Sequence, residues 1–242
     1  MKRVYADLHF CIDVESKPCS CAVRKAMKLG YGLMAVPFRR FSEDSVRQTK
    51  RLCEEAGVDF ASRVDLEPRT PEELLVNLRK LRRRFDVVAV LCESKVVARQ
   101  AAKDRRVDLL NFPQPDFRRA IFDDAEAELA SGCMAALEID MKPLLTLGGP
   151  ARTRLLSNLR REAATAARHH IPIVISSGVS DEMHVRGPKD LAALASLFDL
   201  PNMHALNATS DNPAAIVKRN REKLGPKFVA PGIRLVKRGK NS

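Results

Sequence analysis

The residues best suited to chemistry are carboxylates, an imidazole, an amide and two hydroxyls that follow short apolar segments. They are Asp7, His9, Asp65, Glu67, Glu93, Asn111, Glu138, Asp140, Ser176 and Ser177. If the apolar segments are parallel strands of a barrel, these side chains lie at the strand ends and converge on one rim. Ligands collected in this way could bind a divalent cation that activates water. We favour the alternative, in which arginines and backbone N–H groups satisfy the carboxylates.

The first of these segments, Tyr5-Ala6-Asp7-Leu8-His9, resembles the opening motif of the polymerase and histidinol phosphatase (PHP) metallophosphoesterases. That family places the motif H-x-H at this strand end, and Asp7 replaces the first histidine here. The chain has only five histidines, and we expect His169 and His170 at the end of a helix. We therefore predict no catalytic residue and no metal ligand. The alternative function is a PHP-type metal-dependent phosphoesterase acting alone through Asp7, His9, Glu67, Glu138 and Asp140.

Other signatures of catalysis or cofactor binding are incomplete. Ser176-Ser177-Gly178 lacks the flanking glycine of a nucleophile elbow. The cysteines Cys11, Cys19 and Cys21 lack the usual spacing of zinc ligands and are not followed by a second pair. The sequence contains no phosphate-binding loop and no dinucleotide fingerprint. We therefore predict reduced thiols and no cofactor bound by the protein.

Positive charge is the second chemical signal. The chain has 42 Lys and Arg against 30 Asp and Glu, which gives a formal net charge of +12. Ten basic and three acidic residues lie between Arg79 and Arg106. A surface of one sign attracts polyanions, because their counterions are released on binding. Nucleic acid is therefore the favoured partner, and a merely solvated charged surface is the alternative.

The basic residues expected to contact RNA phosphates fall in six short groups. They are Arg39, Arg40, Arg63, Arg82, Arg83, Arg84, Arg105, Arg106, Arg152, Arg154, Arg186 and Lys189. Arg186 and Lys189 flank a predicted helix start at Gly187-Pro188, where free N–H groups attract anions. The alternative for Arg186 is pairing with a nearby acid. Few aromatic residues accompany these cations, which favours recognition of the backbone of folded RNA over base stacking.

Short, often β-branched apolar segments alternate with amphipathic helical patterns, as expected for parallel strands covered on both faces. The predicted strands are Val4–His9, Gly32–Pro37, Val58–Val64, Asp86–Cys92, Val107–Asn111, Met134–Ile139, Pro172–Ser176 and Met203–Asn207. Thr70-Pro71-Glu72-Glu73, Gly187-Pro188 and Asp211-Asn212-Pro213 each have the composition of a helix start. About eight strand–helix units in 242 residues predict an α/β fold, a TIM-barrel-like (β/α) barrel. An open doubly wound sheet is the alternative.

The domain organisation is expected to be simple. No glycine-rich or proline-rich linker divides the chain, so we predict one barrel domain over residues 1–230 and a basic, flexible tail over residues 231–242. No apolar run reaches the length of a membrane helix, and the N-terminus is charged where a signal peptide would be apolar. We therefore expect a cytoplasmic protein without a membrane partner.

Several segments together resemble the protein component 3 family of archaeal and eukaryotic ribonuclease P. The most specific are Ile173-Val174-Ile175-Ser176-Ser177-Gly178 and Val185-Arg186-Gly187-Pro188-Lys189-Asp190-Leu191. Weaker matches occur in family order at residues 7–8, 86–90, 107–110, 137–139 and 143–145. The resemblance covers nearly the whole chain.

This resemblance implies a PHP-related barrel that has lost its metal site. It also implies a protein that supports a catalytic RNA in removing 5′ leaders from precursor tRNA. The implied partners are ribonuclease P RNA, precursor tRNA and ribonuclease P protein component 2, and the implied metal is Mg²⁺ bound by the RNA. His9 is a departure, since many members lack a histidine there, so the role of Asp7 and His9 stays open.

Overall fold

The computed structural model describes residues 3–11, 18–38, 41–113, 122–230 and 233–235. Within these ranges, seven parallel strands form one sheet in which each strand pairs with its neighbour in sequence. They are β1 (Tyr5–Asp7), β2 (Tyr31–Pro37), β3 (Asp59–Leu66), β4 (Val87–Leu91), β5 (Leu109–Asn111), β6 (Ala136–Asp140) and β7 (Ile173–Ser176). Helices connect the strands, and the sheet forms a nearly closed barrel. The predicted TIM-barrel-like α/β fold is confirmed.

Ten α-helices lie within the described residues. They are α1 (Pro18–Lys28), α2 (Glu43–Glu55), α3 (Pro71–Leu81), α4 (Lys95–Ala102), α5 (Asp124–Ser131), α6 (Lys142–Thr146), α7 (Gly149–Arg168), α8 (Pro188–Leu194), α9 (Asn202–Ala208) and α10 (Asp211–Leu224). The Thr70 hydroxyl accepts the Glu73 N–H at 3.2 Å, which satisfies one of the free donors at the start of α3. All three predicted helix starts are confirmed.

The eighth predicted strand, Met203–Asn207, is wrong, because this segment lies within α9. Ala205 and Ala208 are its buried residues, a spacing of three that suits a helix and not a strand. A short apolar run cannot by itself distinguish these two structures. The residue after α9 still helps to close the barrel, since the Thr209 carbonyl accepts the Ala6 N–H of β1 at 2.9 Å.

Helix α10 closes the amino end of the barrel, the end at which the strands begin. Its Ile216 and Val217 side chains are buried against the barrel interior. That interior consists of Ala6, Leu8, Leu33, Ala35, Ala61, Val87, Ala89, Leu109, Ala136 and Val174. The Asn220 amide donates to the Asp86 carbonyl at 2.8 Å. The opposite, carboxyl end is therefore left to polar side chains.

An antiparallel hairpin of β8 (Phe228–Ala230) and β9 (Ile233–Arg234) follows α10. The predicted boundary between residues 230 and 231 falls inside this hairpin. Residues 231–232 and 236–242 lie outside the described residues, so the flexible tail stays a prediction. None of the helices in the described ranges is long and apolar enough to cross a membrane.

Candidate functional surfaces at the two ends of the barrel

The carboxyl end of the barrel is built around Arg63. Alternation along β3 turns Arg63 and Asp65 toward the interior, and the Arg63 side chain is 0% exposed. Its guanidinium donates to both carboxylate oxygens of Glu138, at 2.6 and 2.7 Å, to Asp65 at 2.6 Å and to the Leu8 carbonyl at 2.7 Å. The predicted contact between Arg63 and an RNA phosphate is therefore wrong. Sequence pattern placed this arginine near a strand end but could not show that it points inward.

His9 is the second cationic group at this end. Its Nδ1 lies 2.8 Å from Asp140 and its Nε2 lies 3.2 Å from Asp65. Burial and the charge of Arg63 lower the pKa of His9, but these two carboxylates outweigh both effects. The pKa of His9 is raised well above its ordinary value of 6.5. Two internal cations thus offset most of the negative charge of the three carboxylates at the centre of this rim.

One group at this rim has donor atoms spaced closely enough for a metal ion. His9, Glu138 and Asp140 each offer a ligand atom within 4.8 Å of the others. However, Arg63 contacts both Glu138 oxygens, and the Asn111 amide donates to Glu138 at 3.0 Å and to Asp140 at 2.9 Å. A divalent cation would have to enter beside two resident positive charges, which repel it. The donor set does not fit a metal ion while Arg63 and His9 occupy these positions.

The remaining residues of the alternative phosphoesterase site do not join this group. One carboxylate oxygen of Asp7 accepts the backbone N–H groups of His9 and Ser177, each at 3.0 Å. Burial raises the pKa of Asp7 despite these bonds. Glu67 is exposed. Among the described residues, no cysteine belongs to a cluster with metal-ligand geometry.

At the amino end, arginines attach α10 to the starts of the strands. Arg221 of α10 contacts Asp59 at 2.7 Å. Asp108 is nearly fully buried, and its two oxygens are held by different arginines, Arg219 of α10 at 2.9 Å and Arg82 at 3.0 Å. These pairs connect α10 to segments that begin β3 and β5. Here, unlike at the carboxyl end, the arginines remain partly open to solvent.

Two of the predicted RNA contacts at this end already have carboxylate partners. Arg82 contacts Asp108, and Arg106 contacts Asp104 at 2.7 Å. The first pair joins residues 26 positions apart and the second joins residues two apart. Neither spacing is the i,i+4 spacing by which a sequence indicates a paired helix surface. The basic segment between Arg79 and Arg106 is therefore less one-sided than its composition suggested.

Three other predicted contacts remain outward at the same end. Arg83 and Arg105 are exposed and form no ion pair with any described residue. The Arg84 guanidinium lies 5.3 Å from the centre of the Phe41 ring, a cation–π contact that leaves the cation at the surface. These residues precede β4 and β5, which are adjacent in the barrel.

Arg186 and Lys189 are exposed at the start of another helix, α8. Arg186 donates to two backbone carbonyls of the preceding turn, at 2.8 and 3.1 Å, and pairs with no acid among the described residues. The Gly187 N–H at the helix start is already bonded to Asp190 at 3.1 Å. Gly187 also lies beside the Leu29 carbonyl, just before β2. The two cations are therefore open to an anionic ligand, whereas the Gly187 N–H already has a partner in Asp190 of the same helix.

The remaining predicted contacts lie either at the start of α7 or outside the described residues. Arg152 and Arg154 are exposed in the first turns of α7, which follows β6. The Arg152 Nε donates to the Leu147 carbonyl at 2.6 Å. Arg39 and Arg40 lie outside the described residues. The predicted residues that the structure describes thus lie at several separate places, and Arg63 lies in the interior.

Sequence reasoning missed the cations of α10. Arg219, Arg221 and Lys223 come from one end of the chain and reach the starts of distant strands. The available signal was a helix in which basic residues alternate beside buried Ile216 and Val217. That pattern indicates a basic helix but not its place under the barrel.

The chain is similar in sequence to known proteins over most of its length. The model of a family described as RNase P subunit p30 matches residues 5–224. The chain is 34% identical over 177 residues to "Ribonuclease P protein component 3" of Methanosarcina barkeri, which covers 73% of this chain and 72% of the relative.

Solved structures extend this similarity to the fold. A chain in the cryo-EM structure of archaeal ribonuclease P with mature tRNA aligns with a TM-score of 0.85, over 98% of this chain and 100% of that chain, at 21% identity. A crystal structure of an amidohydrolase aligns with a TM-score of 0.59, over 89% of this chain and 74% of that chain, at 10% identity. At these identities the likeness concerns the barrel alone.

Proposed function

The chain belongs to the RNase P subunit p30 family and is a protein subunit of ribonuclease P, and from this premise we propose how it works. It binds the RNA of that enzyme and supports the RNA-catalysed removal of the 5′ leader from precursor tRNA. The chain itself supplies no catalytic residue. Arg63 carries this part of the proposal, because it is buried at the end of the barrel where enzymes of this fold hold their catalytic groups.

We assign the chemistry to the RNA and its Mg²⁺ ions, which can stabilise the attacking and leaving oxygens of a phosphodiester. The protein contributes positive charge that holds RNA phosphates. All the predicted cations except Arg63 stay in this proposal. They are Arg39, Arg40, Arg82, Arg83, Arg84, Arg105, Arg106, Arg152, Arg154, Arg186 and Lys189.

The proposed protein partner is ribonuclease P protein component 2, and the proposed location is the cytoplasm. Both come from the family resemblance and from the sequence. Co-expression with component 2, followed by size-exclusion chromatography, tests the pairing. Separate elution of the two proteins would contradict it.

Reconstitution tests the function directly. Cleavage of precursor tRNA by an archaeal ribonuclease P RNA with its other proteins should increase when this chain is added, and the chain alone should not cleave. In Arg186→Ala/Lys189→Ala, the salt dependence of RNA binding should weaken by about one in log–log slope for each lost phosphate contact. Lys50→Gln is the control, since Lys50 is exposed and its ion pair is with Glu54 on the same helix.

The opposite result has a clear form. Metal-dependent phosphoester cleavage by the purified chain without RNA, abolished by His9→Ala, would establish the PHP-type activity instead. An Arg186→Ala/Lys189→Ala variant with unchanged salt slope and unchanged tRNA processing would remove these two residues from the RNA contacts.

A further inference from the structure

Two arginines contact one buried carboxylate, Asp108, at the amino end of the barrel, and Lys223 lies near them. Both oxygens of Asp108 are occupied, one by Arg219 and the other by Arg82 and the Val88 N–H. Lys223 lies one turn further along α10, and the charges of Arg219, Arg82 and Asp108 all act on its ammonium group. The pKa of Lys223 is lowered by burial and by Arg219 and Arg82, and Asp108 opposes this only in part.

This arrangement has more positive charge than its own carboxylate can balance. Asp108 carries one negative charge, whereas Arg82, Arg219 and Lys223 carry three positive charges. The surplus lies at the surface, because Lys223 is half-buried and the two arginines are 15% and 20% exposed. A bound anion would relieve the repulsion among the three cations. The carboxyl end has no such surplus, because its carboxylates surround its cations.

Exposed cations extend the surplus along the same end. Arg83 follows Arg82 directly, and Arg105 comes three residues before Asp108. Both are exposed without an ion pair to a described residue. The turn before β4, the turn before β5 and α10 therefore present cations side by side. Such a spread suits a ligand with repeating negative charges better than a single small anion.

We infer that the amino-end cationic surface, formed by Lys223, Arg83 and Arg105 around the Asp108 cluster, binds consecutive backbone phosphates of structured RNA. This inference rests on the proposed function, since it assigns part of the RNA contact to α10. The surface forms only when α10 docks under the barrel. Arg219 is a positioning residue in it, because it joins α10 to Asp108, and Arg82 also fixes Asp108 in place.

Salt-dependent binding to an archaeal ribonuclease P RNA transcript tests the surface. The full-length variants Lys223→Gln, Arg83→Gln and Arg105→Gln should fold, because they leave every hydrogen bond of Asp108 intact. Each should reduce the log–log salt slope by about 0.7 to 0.9, and the triple variant by about two to three. Lys223→Arg should retain the wild-type slope, and Lys50→Gln is the matched control. A triple variant with the wild-type slope would overturn the inference.

Acylation of lysines by an amine-reactive reagent provides a second readout. Lys223 should be protected when ribonuclease P RNA is bound, whereas Lys50 should react equally with and without RNA. Equal reactivity of Lys223 in both states would contradict the inference. Repeating both measurements with tRNA identifies which RNA occupies the surface.

The outcomes separate this inference from the function on which it rests. If the wild-type chain fails to bind RNA at low salt and fails to support tRNA processing, the proposed function and this inference are both wrong. If Arg186→Ala/Lys189→Ala weakens binding while the amino-end triple variant does not, the inference about the amino-end surface is wrong. Arg83 and Arg105 then leave the proposed RNA contacts, and the proposed function itself stands.

Discussion

The two ends of the barrel use the same chemistry, arginine on carboxylate, with opposite results. At the carboxyl end, Arg63 is completely buried, and its guanidinium donates hydrogen bonds to Glu138, Asp65 and the Leu8 carbonyl. At the amino end, Asp108 holds two arginines that remain partly exposed. The two ends differ in charge balance, because only the amino end has more positive charge than its carboxylate can balance. Charge balanced inside the barrel stabilises the fold, whereas charge left in excess at the surface can bind a ligand.

The comparison is tested most severely by removing the buried arginine. Arg63→Met should lower the free energy of unfolding by about 3 to 5 kcal/mol, because it leaves the ionised Glu138 carboxylate buried without its positively charged partner. Denaturation by urea measures the change. Arg63→Met/Glu138→Leu should recover much of the loss, since the double variant removes both charges. A single variant as stable as wild type would show that the two ends do not differ in this way.

Removing the shared carboxylate at the amino end should have a smaller effect on stability and an added effect on binding. Asp108→Asn should cost about 1 to 3 kcal/mol, because it weakens two charged hydrogen bonds whose donors can still reach water. The same change raises the local positive charge, so RNA affinity should increase while stability falls. Urea denaturation and filter binding measure the two effects. A parallel loss of both would show that Asp108 acts on the fold alone.

The carboxyl end should also show a pH dependence of stability that comes from His9. Its pKa in the folded protein is raised above the ordinary value of 6.5. Its stabilising contribution is therefore complete below about pH 6.5 and is lost as pH rises through the folded pKa, by at most about 1.4 kcal/mol for each pH unit. The difference in unfolding free energy between wild type and His9→Gln should narrow as pH rises. A difference that stays constant between about pH 5.5 and 8.5 would contradict this assignment.

An exposed ion pair away from both ends provides the smallest expected effect. Glu43 and Arg47 on α2 lie 3.0 Å apart, and both side chains are 68% exposed. Glu43→Gln should change the unfolding free energy by no more than about 0.5 kcal/mol, because water and salt screen such pairs. A loss as large as that of Arg63→Met would remove burial as the explanation for the difference between the two ends.

Local sequence signals predicted the secondary structure where they were complete. Thr70 before Pro71 predicted the start of α3, because a hydroxyl acceptor and a proline suit these two positions whatever surrounds them. Met203–Asn207 failed as a strand, because its apolar run is too short to show a period. The same limit applies to the site. The polar residues at the strand ends could be named, but their partners could not.

The sequence by itself determined the α/β class, three of the helix starts, the net positive charge and the family resemblance, because each depends on residue type and local spacing. Only the tertiary structure decided which cations are exposed and which are enclosed. Arg63 and Arg83 are equally basic in the sequence, yet one is enclosed among carboxylates and the other is exposed. Burial and long-range pairing follow from how distant segments meet. Arg219 and Arg221 join helix α10 to the starts of the strands, and this packing brings the positive charge of α10 to the amino end of the barrel.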